Sequence, residues 1–72
     1  MIAKRATKRL KALPGGAGFV ISKGMYGFSI SPDPFPMGVP VQMTPCRDTA
    51  DRAIEDFIAG LRPKIVEESE AV

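Results

Sequence analysis

Seventy-two residues, 44% of them apolar and 25% charged, make one small domain at most. One cysteine and no histidine exclude an internal disulfide framework and a Cys/His zinc site. The net charge of +2 conceals a division: the first 24 residues carry six basic side chains and no acid, and the rest carry four basic and eight acidic ones.

A chain this short buries only about 60% of the surface its unfolded form exposes. It needs a tight core or a partner. Association is expected, either with itself as a homodimer or with another protein. No apolar run is long enough for a signal-peptide core or a membrane span. A lone cysteine suits a reducing compartment, so a cytoplasmic location without membrane contact is expected.

Residues 2–13, IAKRATKRLKAL, place Ile2, Ala6, Leu10 and Leu13 at helical spacing. Pro14-Gly15-Gly16 stops the pattern. Lys4, Lys8 and Lys11 form one row on this helix, with Arg5 and Arg9 beside it. The stripe is thin and the charges are alike, so residues 1–16 read as a basic helix or arm that is marginal alone. Two readings stay open. The row tracks phosphates of a nucleic acid, or it is a solvated face, or one that meets the chain's own acidic tail or a subunit's acidic helix.

Residues 17–62 read as the core domain. Phe19 and Ile21 alternate, as do Tyr26, Phe28 and Ile30, which predicts a hairpin turning at Ser22-Lys23-Gly24. A type I turn with Gly24 left-handed fits that triplet. The opposite face, Gly27, Ser29 and Ser31, is solvated or closely approached by another backbone. Val39, Val41 and Met43 alternate as a third strand, at an edge because Pro40 has no N–H.

Between strands two and three lies SPDPFPMGVP. Residues before proline are held extended, which predicts a stiff rod. It is either a plain crossover or a rigid platform presenting Phe35 and Met37 to a partner. Its prolines do not match PxxP spacing.

Apolar residues at 50, 53, 54, 57, 58 and 61 predict an amphipathic helix, with Asp48 as N-cap and Gly60 and Pro63 at its end. Residues 63–72 read as a loose acidic tail, with a brief strand at Ile65-Val66 as the alternative.

The expected fold is therefore α+β: a small three-stranded antiparallel sheet with the C-terminal helix packed on one face, preceded by the basic helix or arm. The element order resembles that of double-stranded-RNA-binding domains. Those carry a basic cluster at the start of the last helix, whereas here Asp48-Thr49-Ala50-Asp51 is acidic. Pro32-Asp33, Gly38 and Thr49-Ala50-Asp51-Arg52-Ala53 resemble the strand, PD, Gly and helix pattern of HicB-type antitoxins, at longer spacing.

No catalytic or cofactor site is expected. Cys46 lies near a helix start beside Arg47, but no histidine is present to act as its base, and a half-buried filler is the leading account. Asp48, Asp51, Glu55 and Asp56 offer oxygens to a cation, but Arg52 among them makes ordinary ion pairs the simpler account. The functional expectation is a non-enzymatic protein-binding module of the inhibitor, adaptor or regulator kind that phages and mobile elements often encode. Its contact residues are Phe35, Met37, Val39 and Val41. The alternative is nucleic-acid binding through Lys4, Arg5, Lys8, Arg9 and Lys11.

Overall fold

Apolar alternation builds the centre of the molecule, a hairpin of β1 (Phe19–Gly24) and β2 (Gly27–Pro32), seen in a computed structural model that describes residues 2–66. The register sets Phe19 opposite Pro32, Ile21 opposite Ile30 and Lys23 opposite Phe28. With side chains alternating, these six share one face. Ile21 and Ile30 are fully buried there.

The turn is Met25-Tyr26, not Ser22-Lys23-Gly24. The anticipated chemistry is present but three residues later: neither turn residue takes a positive φ, and Gly27 follows at +121°. A turn at Ser22–Gly24 would have set Ile21 opposite Met25 and left Ile30 beyond the pairing. The observed register buries both isoleucines together and strands Tyr26 at the tip, 82% exposed.

Two helices cover the apolar face. α1 (Lys4–Lys11) lies against β1 through Ala6, Thr7 and Leu10. It has no side-chain cap and no acid in its first turn, so its own sequence supports it weakly. Tertiary bonds secure it instead. The Ala3 N–H donates to the Ile21 carbonyl at 2.9 Å, and the Thr7 hydroxyl accepts from the Ile21 N–H at 3.0 Å.

α2 (Ala50–Ile58) lies against β2 and buries Ala53, Ile54 and Phe57. Its N-cap is Thr49, whose hydroxyl accepts from the Arg52 N–H at 3.2 Å; Asp48 pairs instead with the Arg52 side chain. At the other end Gly60 takes φ +103°, and the N–H groups of Gly60 and Leu61 return to the carbonyls of Phe57 and Asp56. This is the Schellman closure that the glycine predicted.

The expected three-stranded sheet is not formed. There are two two-stranded antiparallel sheets: β1 with β2, and β3 (Val41–Gln42) with β4 (Lys64–Ile65). Val41 faces Ile65, Gln42 faces Lys64, and the Val66 N–H donates to the Pro40 carbonyl at 3.0 Å. Pro40 and Pro45 leave only four residues between them able to donate to a ladder, too few to run along β2. On the outer edge of β2 the N–H and carbonyl of Arg47 bond the carbonyl and N–H of Phe28 at 2.8 and 2.7 Å, and the Thr44 hydroxyl accepts from the Ile30 N–H at 3.5 Å. Ile2 makes a similar single bridge to Ser22 on the edge of β1. Both hairpin edges are thereby partly covered.

These shifts change the core. Tyr26, Val39 and Met43, which strand alternation would set on the apolar layer, and Ile58 and Leu61, on the apolar stripe of the helix, are exposed, and Val41 is only half-buried. The core is Ala6, Leu10, Ile21, Ile30, Ala53, Ile54 and Phe57. Lys64–Ile65 form β4 where a loose tail was expected; residues 67–72 of that expectation lie outside the described residues. Among the described residues no helix is long and apolar enough to cross a membrane.

Candidate functional site

Residues 34–46, PFPMGVPVQMTPC, contain no charged side chain. None of these thirteen residues is buried. The chain bends at 33–34 and again at 37–39, where Gly38 takes φ +77°, so the segment is not the straight rod expected of its prolines. It starts where β2 ends and finishes at Arg47.

Arg47 anchors the far end. Its guanidinium grips the Asp56 carboxylate of α2 in a two-bond fork, at 2.6 and 2.9 Å. The hydrogen bond from Arg47 holds the Asp56 carboxyl below its ordinary 3.8, while the same bond and the Asp56 charge raise the Arg47 value. A depressed carboxyl stabilises the fold at every pH above its unfolded value and loses that contribution as the pH falls through the folded one. The native chain is therefore expected to lose stability below about pH 4, and Asp56→Asn, weaker at neutral pH, to lose less there. Urea midpoints measured from neutral to acid pH check this; parallel curves would refute it.

Within the segment, alternate residues part company. Pro34 and Pro36 join Phe19, Pro32, Pro63 and Ile65 in lining a largely apolar groove of about 420 Å³, with Lys64 also on its lining. Phe35 and Met37 stay outside it, 51% and 90% exposed. Val39 and Met43, and Ile65 and Val66 on the neighbouring strand, are exposed as well. A second concavity of about 480 Å³ separates β3 and β4 from the end of α2, lined by Met43, Thr44 and Leu61 among others. The small sheet is thus a ledge with hollows on two sides. Val41 lies on it, Val39 shortly precedes it, and Phe35 and Met37 stand in the loop that leads to it. Met43, Ile65 and Val66, which sequence reasoning did not assign to the surface, are exposed on or beside it.

The basic residues Lys4, Arg5, Lys8, Arg9 and Lys11 are all exposed on α1. Two of them meet acids of this chain. The Arg9 guanidinium donates to Asp51 on α2, and the Lys11 ammonium lies 3.6 Å from Asp33 and donates to the Ala17 carbonyl at 2.9 Å. Lys4, Arg5 and Lys8 have no acidic partner among the described residues.

The acidic set on α2 divides into ion pairs: Asp48 with Arg52, Asp51 with Arg9 and Asp56 with Arg47. No cluster of potential metal ligands occurs among the described residues. Cys46 is exposed, not the half-buried filler expected. The neighbouring Arg47 guanidinium is already committed to Asp56.

No family model, no curated protein and no solved structure matches this chain.

Proposed function

We propose that the chain is a small protein-binding module without enzymatic activity, working as an inhibitor, adaptor or regulator. Its contact surface is the uncharged segment 34–46 together with Ile65 and Val66. The observation that carries this reading is that thirteen consecutive residues lack charge and none is buried. Loss of charge and enrichment in aromatic and methionine side chains mark the centres of protein interfaces. Tethering at both ends, to β2 and at Arg47, limits the entropy lost on docking.

The test is affinity capture from the native host with the immobilised full chain, compared with a variant carrying Phe35→Asp and Met37→Asp. Both side chains project outward, so the variant keeps its circular dichroism. Proteins held by the native chain and lost by the variant support the reading. Equal capture by both overturns it.

Nucleic-acid binding is the second reading. It draws on Lys4, Arg5 and Lys8, which are exposed and without acidic partners among the described residues. Three phosphate contacts give a salt slope of only about −2.7. That makes for weak, sequence-blind binding, and it is the lesser reading for that reason.

A further inference from the structure

We infer that the partner seated on the uncharged segment 34–46 is a second copy of the same chain, with the Phe35–Met37 loop of each copy entering the proline-lined groove of the other. This rests on the protein-binding reading above and names its partner.

The first argument is self-complementarity. In a two-fold dimer one patch meets itself, so each feature needs its complement in the same patch. Here both lie in one loop. Pro34 and Pro36 form a wall of the groove, and Phe35 and Met37, the alternate residues, are the unburied knobs. A two-fold axis beside this loop uses both, twice.

The second argument is fit. Phe19, Pro32, Pro34, Pro36, Pro63 and Ile65 present rings and branched carbons to a space of about 420 Å³. An apolar cavity of about 150 Å³ accepts a benzene ring. The groove therefore has room for the Phe35 ring and for the thioether of Met37, whose flexible stem suits an irregular hollow.

Charge is the third. Two identical chains carry the same net charge of +2 and repel through most faces. Residues 34–46 form the longest uncharged run in the sequence, so contact across it brings in few charges; Lys64 is the charged residue that lines the groove. The next longest, residues 12–22, supplies Ile21 to the core and is already spent on folding.

Area is the fourth. Phe35, Met37, Val39 and Ile65 are between 41% and 90% exposed. At roughly 100 Å² of open surface each, they supply about 400 Å² per copy and about 800 Å² in a pair, and the groove walls add to this, which is the range of weak, reversible interfaces. A dissociation constant in the micromolar range is the corresponding expectation.

Sedimentation of the full chain across a concentration series tests this. The mass should rise from one chain to two over the micromolar range. The variant with Phe35→Asp and Met37→Asp should dimerise at least about a hundred-fold more weakly with an unchanged circular dichroism spectrum. In a mixed sample of labelled and unlabelled chains, isotope-filtered nuclear Overhauser effects should run from the Phe35 ring of one copy to Pro63 and Ile65 of the other. A native chain that stays monomeric near millimolar concentration overturns the inference, as does a dimer that survives both substitutions. If the native chain is monomeric and host capture still depends on Phe35 and Met37, the second copy is wrong and the binding surface stands. If neither mass nor capture responds to the substitutions, both readings fail.

Discussion

Phe57→Ala is expected to leave the chain largely unfolded at room temperature. Phe57 is fully buried at the meeting of both helices and the hairpin. Its ring sits edge-on to Phe19, with centroids 5.3 Å apart and planes at 68°. The Arg62 guanidinium covers another part of it, 4.1 Å from the ring centre. Cutting a buried phenylalanine to alanine costs about 3–5 kcal/mol, the aromatic pair included. A chain of this size, whose single cysteine leaves no internal disulfide, has on the order of 3–5 kcal/mol in total. The loss therefore equals the whole stability. Phe57→Leu retains most of the volume and should stay folded, with a melting point lower by roughly 5–10 °C. Ile58→Ala, one residue away but 63% exposed, should change stability by less than about 0.5 kcal/mol. Thermal melts followed by circular dichroism check all three. A Phe57→Ala chain melting within a few degrees of the native one would mean that the core lies elsewhere.

Positions 57 and 58 also show how far periodicity carries. Both belong to the same helical stripe, yet only 57 is buried. Periodicity assigns a face to within about one residue in 3.6, and a two-stranded hairpin is too narrow to cover the whole stripe. Both helices, the hairpin and the glycine closing α2 were legible because each rests on local chemistry: spacing, a breaker, a positive φ. The third strand was not. Val39, Val41 and Met43 do have strand-like alternation, but whether a strand pairs depends on which N–H groups are available and what already occupies the edge. Arg47 occupies it, and no local pattern announces an arginine as an edge cap. Thr7 was missed in a similar way. A polar residue on a helix looks solvated until its hydroxyl is seen to satisfy the Ile21 N–H across the interface.

The candidate surface was partly legible. Phe35 and Met37 stood out as apolar side chains amid prolines, and the structure leaves them exposed as that reading needs. A second signal was present and stronger: in a chain one quarter charged, residues 34–46 carry no charge at all. It marks a surface only once burial is known, because a buried strand gives the same run. The basic row shows the opposite limit. Five cations on one helix read as a single patch, but folding lays Arg9 against Asp51 and Lys11 near Asp33, acids 42 and 22 positions further along the chain. Local sequence cannot register that neutralisation.

Gly27→Ala should be strongly damaging, and Gly24→Ala, at the opposite position of the same register, nearly silent. A Cβ at Gly27 would stand 2.3 Å from the Arg47 carbonyl oxygen, on a backbone at φ +121°. The conformation costs about 1–2 kcal/mol for a residue with a side chain, and the crowding about 1–3 kcal/mol more. The carbonyl cannot simply retreat, because it accepts the Phe28 N–H at 2.7 Å while the Arg47 side chain holds Asp56 on α2. Relief therefore means parting β2 from Arg47. That breaks two backbone hydrogen bonds and frees the anchored end of the uncharged segment. The melting point should fall by about 15 °C or more, with the Phe28 and Arg47 amides losing hydrogen-exchange protection before the Ile21 amide does. At Gly24 the methyl meets open space and φ is not positive, so the change should stay within about 0.5 kcal/mol. If the ledge binds a second copy, Gly27→Ala should also weaken dimerisation while Phe35 and Met37 are intact, since the platform that presents them has lost its far support. Equal melting points for the two variants would show that Arg47 does not hold the sheet edge, and the account of why the third strand is missing would fall with it.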